Sequence, residues 1–582
     1  MNITSLSRRR WVWREADERL GLGIAQRLGV PEILGRMLAL RGIGIAAAQD
    51  FLAPTLRALL PDPSVLIDMD VAAERLAGAV TRGETVAVFG DYDVDGACSA
   101  AVMTLLLRGL GCIVLTHVPD RLTEGYGPNL PALHELARAG ASLIVCVDCG
   151  TAAGEVLAGM RGVADVVVLD HHKSEGPPPD VVATVNPNRL DCSSGLGHLC
   201  AGAIAFLAAI ATVRSLRRAG HFQHRPEPNL MALLDLVALS SVCDVMPLVG
   251  LNRAFVHQGL KILGQRNRPG LAALMDAAGV KGRPGAMTLG FAIGPRINAG
   301  GRIGDAEMGL RLLLTEDEIE ARALAQTLDG VNRQRQMVEA DMLDDALAQA
   351  EAQLAAGHAA VLVAGEAWHP GVVGIVAGRI KEKFNRPACV AGINGGLAKG
   401  SGRSVTGLDL GAAIIAARQL GILATGGGHA MAAGFSLPRG ALAEFHAFLD
   451  ERLAGARALP AAADLMVEGS LAVGGCTVEL AEQLAQLAPF GAGNDEPTLV
   501  LPRVRVVRAD RIGREAATVR AYLEGEGGGR LKAVMFRAKD GPVAEALLAR
   551  GAAPLHLAGH VRLEEWNGNI SANFIIQDAA LV

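Results

Sequence analysis

Between residues 84 and 187, short apolar runs alternate with helix-like stretches, and this alternation restricts the fold more than any other feature of the chain. The strand-like runs cover residues 85–89, 112–118, 143–147, 164–169 and 181–185. Apolar strands that alternate with helices are typical of a parallel, doubly wound sheet. Ligands bind such sheets beyond the carboxyl ends of the strands. The residues that follow each run are therefore the first candidates for a functional site.

Carboxylates follow three of these runs. After the first, third and fourth runs stand, in chain order, Asp91, Asp93, Asp95, Asp148 and Asp170. Carboxylates that crowd together repel one another and raise one another's pKa unless a cation neutralises them. A divalent metal ion is the simplest means of holding such a group together, so the pattern predicts a metal site.

Two histidines and one further carboxylate extend this set. His171 and His172 directly follow Asp170, and Asp244, in the segment ALSSVCDVMPL, stands at the end of an apolar run that is typical of a helix. An anion at the carboxyl end of a helix is unfavourable, which indicates that a positive charge compensates it. Mixed carboxylate and imidazole ligation suits Mn²⁺ or Mg²⁺ better than Zn²⁺.

The segment GDYDVDGACSAA has two other interpretations. Its D-x-D-x-D-G start also begins a calcium-binding EF-hand loop, but a strand precedes it and Val102 stands where the closing glutamate is needed. The segment is also compatible with a solvated turn whose aspartates cap the next helix. The metal site is favoured, and both alternatives stay open at this stage.

Glycine-rich segments further along the chain are candidate phosphate contacts. Glycine lets backbone N–H groups approach a phosphate, and arginine binds phosphate oxygens in pairs. The segments PRINAGGRIG, KGSGRSV and GGGHAMAAG, the first two interpreted as loops, supply the candidates Arg296, Arg302, Ser401, Arg403, Gly427, Gly428 and His429. The alternative is that these glycines serve packing alone, since the chain contains 71 glycines.

The chain is too long for one hydrophobic core, and its pattern predicts a multidomain α/β protein. We expect an N-terminal segment over residues 1–60 and the doubly wound parallel-sheet domain with a helical extension over 61–328. A long connecting helix over 329–357 and a second α/β domain over 358–460 follow. The last part, residues 461–582, contains β-rich runs separated by glycine-rich turns, which predict an OB-like β-barrel.

Arginines alternate with valines in the first β-rich run of this last domain. Arg503, Arg505 and Arg508 would form a basic stripe on one face of the strand, as a groove for single-stranded nucleic acid requires. An ordinary solvated sheet face is the alternative. The net charge of −5 and the pI near 6.3 do not exclude nucleic-acid binding, because an acidic metal site can mask a local basic groove.

Composition also bears on location. No apolar run approaches the roughly 18 residues of a membrane span, and the first residues lack an apolar signal-peptide centre. The nine cysteines are scattered, and the lone C-x-x-C pair of Cys146 and Cys149 has no second pair at zinc spacing. We therefore expect a cytoplasmic protein without a disulfide framework.

The motifs resemble those of the DHH phosphoesterase superfamily, with its first motif at residues 91–96, its second at Asp148, its third at residues 170–172 and its fourth at Asp244. The segment GGGHAMAAG resembles the DHHA1 substrate-binding domain that accompanies the catalytic domain in this superfamily. By this resemblance two divalent cations, Mn²⁺ or Mg²⁺, are held by Asp93, Asp95, Asp148, His171 and Asp244.

The resemblance also implies individual roles at the site. Asp148 would bridge the two ions, His172 would face the substrate phosphate, and Asp91 would support the site. The order of PRINAGGRIGDA, WHPGVVGIVAGRI, KGSGRSV and a C-terminal β-domain looks like the single-stranded-DNA exonucleases of the superfamily. That branch implies 5′→3′ digestion of single-stranded DNA to mononucleotides in DNA repair and recombination. A RecQ-type helicase and a single-strand-binding protein are candidate partners, and we expect a monomer.

Two other functions remain open from the residues. The same metal chemistry would serve a smaller substrate, such as a cyclic dinucleotide, a very short RNA or polyphosphate. Such a substrate would, however, gain little binding from a distant basic groove in the β-domain. A non-catalytic strand-binding scaffold is the other alternative, although a scaffold has no need to assemble mutually repelling carboxylates.

Overall fold

The computed structural model describes residues 3–121, 123–174, 176–538, 540–549 and 553–582. Two compact units are distinguished. One, called the catalytic unit below, consists of Ala46–Arg333 and Leu487–Glu496, and the other consists of Met1–Ile45, Gln334–Gln486 and Pro497–Val582. The predicted domain limits stay predictions. One difference is that Leu487–Glu496, predicted as part of the last domain, belongs to the catalytic unit in this division.

The strands in chain order are β1 (Ile3–Thr4), β2 (Arg10–Trp13), β3 (Thr85–Phe89), β4 (Ile113–His117), β5 (Leu143–Val147), β6 (Asp165–Leu169), β7 (Ala183–Val185), β8 (Val361–Glu366), β9 (Ala388–Asn394), β10 (Leu397–Arg403), β11 (Thr425–His429), β12 (Ala432–Pro438), β13 (Leu465–Val467), β14 (Gly469–Ser470), β15 (Leu499–Ile512), β16 (Thr518–Glu524), β17 (Arg530–Met535), β18 (Leu555–Trp566) and β19 (Asn569–Leu581).

The α-helices in chain order are α1 (Glu18–Leu28), α2 (Glu32–Leu40), α3 (Ala48–Leu52), α4 (Leu56–Leu59), α5 (Met69–Arg82), α6 (Val94–Gly109), α7 (Leu130–Arg138), α8 (Gly154–Ala158), α9 (Ala201–Arg218), α10 (Leu234–Cys243), α11 (Gly250–Gly264), α12 (Pro269–Ala277), α13 (Gly294–Ile303), α14 (Glu307–Leu314), α15 (Glu318–Ala355), α16 (Val373–Phe384), α17 (Leu410–Gln419), α18 (Leu442–Arg452), α19 (Val478–Ala485) and α20 (Pro542–Leu548). A π-helical turn, Thr288–Ile293, leads directly into α13.

The catalytic unit contains the predicted doubly wound parallel sheet. Its strands lie in the order β4-β3-β5-β6-β7, and every neighbouring pair is parallel. Val86 and Val88 of β3 pack into the core that contains α5, α6 and α9. Ala87 and Phe89 point to the opposite face and pack with α7 and α8. Alternate side chains of one strand are thus buried on both faces, which explains why the strands are apolar throughout.

The other unit contains a second α/β domain and a barrel. The strands of the α/β domain lie in the order β11-β12-β10-β9-β8, in which only β8 and β9 are parallel. Strands β15, β16, β17, β19 and β18 form a closed five-stranded barrel, because β15 also pairs with β18. The predicted second α/β domain and OB-like barrel are therefore confirmed. The long helix α15 is also present, and its residues up to Arg333 belong to the catalytic unit.

The N-terminal segment belongs to the same unit as the barrel. Strand β2 pairs in parallel with β13, and the fully buried Trp11 donates from Nε1 to Asp578 at 2.9 Å. None of the helices in the described part of the chain combines the length and hydropathy that crossing a membrane would take.

Two segments interpreted as loops are regular structure. PRINAGGRIG forms most of α13, because its glycines let the helix approach neighbouring backbone: a Cβ on Gly301 would lie 2.3 Å from the carbonyl oxygen of Tyr92. KGSGRSV lies largely in β10, the central strand of its sheet, where a Cβ on Gly400 would lie 2.3 Å from the ring of Phe435. In both segments the glycines serve close packing rather than an open turn.

Candidate metal centre

The turn from β3 to α6 brings the first three aspartates into place. Asp93 is the N-cap of α6, and its Oδ1 accepts from the backbone N–H groups of Asp95 and Gly96 at 2.8 and 3.1 Å. The N–H of Val94 donates instead to Oδ1 of Asn298 in α13 at 3.2 Å. The first N–H groups of the helix are therefore satisfied by protein side chains, which fixes the orientation of the turn.

Asp148 directly follows β5 and has a left-handed backbone conformation with φ of 59°. This conformation is rare for residues other than glycine and is found where the surrounding structure enforces it. The N–H of Asp148 donates to the carbonyl of Leu169 at 3.0 Å, which extends the ladder between β5 and β6 by one bond. The Tyr126 hydroxyl lies 3.3 Å from the carbonyl oxygen of Asp148 and can donate to it.

Asp170 follows β6 and orders the two histidines after it. Its buried carboxylate accepts from the backbone N–H groups of His171 and His172 and from Nδ1 of His172, at 2.7, 3.1 and 2.8 Å. Burial opposes the charged form, but hydrogen bonds from His172 and Thr151 lower the pKa of Asp170. Asp170 is therefore a buried, ionised acceptor. Its hydrogen bonds fix the backbone of His171 and His172 and the ring of His172.

Two asparagines hold the same loop from the other side. Asn186 follows β7, and its Nδ2 donates to the carbonyl of His172 at 2.8 Å. Nδ2 of Asn188 donates to the carbonyl of His171 at 2.6 Å. The backbone of both histidines is thus fixed by side chains from the next strand end.

These elements bring the predicted residues together at the carboxyl edge of the sheet. Nε2 of His171 lies 3.3 Å from Oδ1 of Asp148, 3.5 Å from Oδ2 of Asp244 and 3.7 Å from Oδ2 of Asp95. Three groups have their ligand atoms within 4.8 Å of one another: Asp95 with His171 and Asp244, Asp91 with Asp93 and Asp148, and Asp148 with His171 and His172. Asp148 and His171 each occur in two groups.

Burial and mutual repulsion make this cluster unfavourable without a cation. Burial and then the charge of Asp95 raise the pKa of Asp148 well above its usual range, and burial with Asp93 does the same for Asp91. Burial, with the charges of Asp95 and Asp93, raises the pKa of Asp244 to about 9. Divalent cations would remove this penalty by favouring the charged carboxylates.

The oxygen atoms available in the cluster fit such cations. Oδ1 of Asp91, Oδ1 of Asp148 and Oδ2 of Asp244 are buried and accept no hydrogen bond from any described residue. Buried polar atoms without partners are rare and require an explanation, such as an ion. Oxygen donors with one or two imidazoles match Mg²⁺ or Mn²⁺.

The predicted phosphate clamps of the catalytic unit lie on α13. Arg296 donates from Nε to Oδ1 of Asp329 at 2.9 Å and from Nη1 to the carbonyl of Ala292 at 2.6 Å. Arg302 lies in the last turn of the same helix. Burial raises the pKa of the Tyr92 hydroxyl, and the positive charge of Arg302 partly opposes this rise. Because Asn298 of α13 caps α6, this helix abuts the Asp93 turn.

The candidates of the second α/β domain lie in strands. Ser401 and Arg403 lie in the last three residues of β10, next to the start of α16. A Cβ on Gly374 of α16 would lie 3.2 Å from Nη2 of Arg403. Gly427, Gly428 and His429 lie in the edge strand β11, with His429 exposed. A Cβ on Gly428 would lie 2.5 Å from the carbonyl oxygen of Ala432, so this glycine is required by the hairpin, whereas a Cβ on Gly427 would meet open space.

Arg503, Arg505 and Arg508 are exposed on β15, but two bulges interrupt the simple alternation. Nε of Arg503 lies 2.5 Å from Glu526. Nε of Arg508 lies 3.7 Å from Asp510.

Sequence reasoning missed several residues that order the site. Four of them contact metal-site residues or their backbone: Tyr126, Asn186, Asn188 and Ser240. Asn298 instead contacts the backbone of Val94, which lies between Asp93 and Asp95. Asn186 and Asn188 follow an apolar run, as the aspartates do, so their position after a strand was the available signal. Asn298 lies two residues from Arg296, but nothing local indicates that it reaches α6.

Comparisons with known proteins agree with this architecture. Residues 85–240 match the model of the DHH family, N-terminal domain, residues 357–455 match the DHHA1 domain and residues 467–578 match the RecJ OB domain. The single-stranded-DNA-specific exonuclease RecJ of Salmonella typhimurium is 36% identical over 97% of this chain and 98% of its own.

Solved structures of RecJ are similar over nearly the whole chain. RecJ from Thermus thermophilus in complex with Mn²⁺ is 29% identical with a TM-score of 0.79, covering 97% of this chain and 79% of its own. The complex of the same protein with Mg²⁺ gives a TM-score of 0.74 at 28% identity, covering 98% of this chain and 78% of its own. From the matched domains and the full-length similarity, the chain belongs to the RecJ family of DHH-domain proteins.

Proposed function

We propose that this chain is a metal-dependent exonuclease that degrades single-stranded DNA in the 5′→3′ direction and releases mononucleotides. The observation that carries the proposal is the convergence of Asp91, Asp93, Asp148, His171 and Asp244 around buried oxygen atoms that have no hydrogen-bond donor among the described residues. RecJ relatives are single-stranded-DNA-specific exonucleases, and structures of one hold Mn²⁺ or Mg²⁺.

Two divalent cations, Mn²⁺ or Mg²⁺, would be held by Asp93, Asp95, Asp148, His171 and Asp244, with Asp148 between them. When bound, they would supply Lewis acidity to the scissile phosphodiester and to its attacking water. The protein's own part is to hold these ligands together at the edge of the sheet, and the bound cations would favour their charged forms. Asp91, whose carboxylate lies beside those of Asp93 and Asp148, would support the site.

His172 contacts the substrate phosphate in this proposal. Its Nδ1–H donates to Asp170, which orients the ring, and Nε2, which lies 3.2 Å from the Tyr126 hydroxyl, is the nitrogen that would face the substrate. The side chain is 40% exposed, whereas that of His171 is 12% exposed, so His172 is the accessible member of the pair. Further substrate contacts are proposed for Arg296, Arg302, Ser401, Arg403, Gly427, Gly428 and His429.

The proposal extends to the cellular setting. We propose that the chain acts in the cytoplasm as a monomer in DNA repair and recombination, together with a RecQ-type helicase and a single-strand-binding protein. The barrel would bind the strand through Arg503, Arg505 and Arg508.

The test is digestion of end-labelled single- and double-stranded DNA with Mn²⁺, with Mg²⁺ and with a chelator. We expect mononucleotides from the 5′ end of single strands only, and only with metal. Asp148→Asn is the matched control, because it keeps the side chain's size and removes its charge. Cleavage of dinucleotides alone would instead support a small-substrate phosphodiesterase, and binding without cleavage would support a scaffold.

A further inference from the structure

Asp95 is held differently from the other carboxylates of the metal centre. Its side chain lies at the N-terminus of α9, where Oδ2 accepts from the N–H of Ala201 at 2.8 Å and Oδ1 accepts from the N–H of Gly202 at 2.9 Å. These are two of the N–H groups that have no partner within their own helix. The positive end of the helix dipole also favours an anion at this position.

A third donor to the Asp95 carboxylate comes from α10. Ser240 is fully buried, and its hydroxyl donates to Oδ1 of Asp95. Because its single proton is used there, the Ser240 oxygen accepts from the thiol of Cys200 at 2.9 Å. Ser240 is thus oriented from one side while it orients Asp95 on the other.

Gly202 provides the space for this contact. A Cβ at this position would lie 2.4 Å from Oγ of Ser240 and 3.4 Å from Oδ1 of Asp95. The backbone of α9, the serine and the carboxylate therefore form one close-packed cradle. Oδ1 accepts two hydrogen bonds in it, and Oδ2, the oxygen nearer to His171, accepts one.

We propose that Ser240 is a positioning residue for the metal centre, and that it sets the affinity of one of the two cations. This cation is the one grouped with Asp95, His171 and Asp244, since Ser240 donates to no member of the group Asp91, Asp93 and Asp148 among the described residues. The inference rests on the proposed function, because it assumes that Asp95 binds metal. Partners behind a metal ligand hold its orientation, and their loss typically weakens metal binding.

The experiment is calorimetric titration of the full-length protein with Mn²⁺, with the wild type and Ser240→Ala compared. We expect one of the two equivalents to bind roughly tenfold to a hundredfold more weakly in the variant, and the other to keep its affinity. Ser240→Cys, which keeps a weak donor, should lie between the two. Ser241→Ala is the matched control, because Ser241 is equally buried on the next position of α10 but donates to Val237 of its own helix at 2.8 Å.

The outcomes separate this inference from the proposed function. Unchanged affinity of both equivalents in Ser240→Ala would overturn the positioning role. A similar loss in Ser241→Ala, or an equal loss of both equivalents, would also overturn it, since packing rather than the hydrogen bond would then be the cause. If the wild type binds no Mn²⁺ and cleaves no DNA, the proposed function itself fails.

Discussion

Arg296 and Asp329 form a largely buried ion pair in which Nε and Nη2 of the guanidinium both lie 2.9 Å from Oδ1 of the carboxylate. Oδ2 of the same carboxylate lies 2.6 Å from Nη2 of Arg333. Asp329 and Arg333 lie on α15, so the long helix fixes the direction of an arginine on α13. The ion pair sets the direction of the guanidinium before a substrate arrives, and it also offsets part of the charge of Arg296.

We predict that Arg296→Ala and Arg403→Ala keep the fold and both metals but lose the preference for a 5′-phosphate over a 5′-hydroxyl end. A terminal phosphate carries more negative charge than an internal diester, and guanidinium contacts exploit this difference. Each lost contact should cost about 1.5–3 kcal/mol, or roughly tenfold to a hundredfold in specificity. Rates on the two end chemistries test this. If both variants keep the wild-type preference, the terminal phosphate is bound elsewhere.

We predict that Asp148→Ala abolishes cleavage and metal binding more completely than Asp91→Ala. The carboxylate of Asp148 belongs to two of the three potential ligand groups, whereas that of Asp91 belongs to one. Removing Asp148 should therefore disturb both cations. Metal content by mass spectrometry, measured beside the cleavage rate, tests the difference. Full metal occupancy with equal loss of activity in the two variants contradicts the assignment.

We predict that Arg505→Ala weakens binding of long single strands more than Arg503→Ala or Arg508→Ala. Carboxylates lie within 4 Å of Arg503 and Arg508 and offset their charge, whereas no carboxylate of a described residue lies that close to Arg505. For single strands, each lost phosphate contact lowers the slope of log affinity against log salt by about 0.7. Fluorescence anisotropy at several salt concentrations measures this slope. An unchanged slope in all three variants would exclude this face of β15 as the binding groove.

We predict that Arg253→Met destabilises the catalytic unit. The guanidinium of Arg253 is buried and donates to the carbonyl oxygens of Phe51, Leu487 and Ala488 at 2.8, 2.9 and 2.8 Å. Methionine fills similar space without donors, so these acceptors lose their partner at a cost of about 3 kcal/mol.

Urea unfolding of this variant should show a lower midpoint, and the exposed Arg225→Met should behave as the wild type.

The contact of Arg253 with the carbonyl oxygens of Leu487 and Ala488 also bears on truncation of the chain near residue 461. Such a truncation removes Leu487–Glu496 from the catalytic unit, so we expect it to impair short-oligonucleotide hydrolysis as well as long-strand binding. Unimpaired hydrolysis after truncation would show that the segment is dispensable.

The sequence by itself determined the sheet and the approximate position of the metal centre. Apolar runs with acidic residues at their ends were sufficient, because parallel strands place their carboxyl ends at one edge whatever else surrounds them. The runs at residues 85–89 and 143–147 coincide with β3 and β5. The barrel was also readable, because alternating strands and glycine-rich turns are local signals.

Only the tertiary structure decided how the site is supported. Ser240 reaches Asp95 across 145 positions of the chain, Asn298 reaches Val94 across 204, and Arg253 holds Leu487 across 234. Such contacts leave no periodicity in the sequence, since a serine or asparagine on a helix has the same local pattern whether it faces a carboxylate or solvent. The glycines of α13 and β10 suggested loops for the same reason: the close packing that requires them comes from residues far away in the chain.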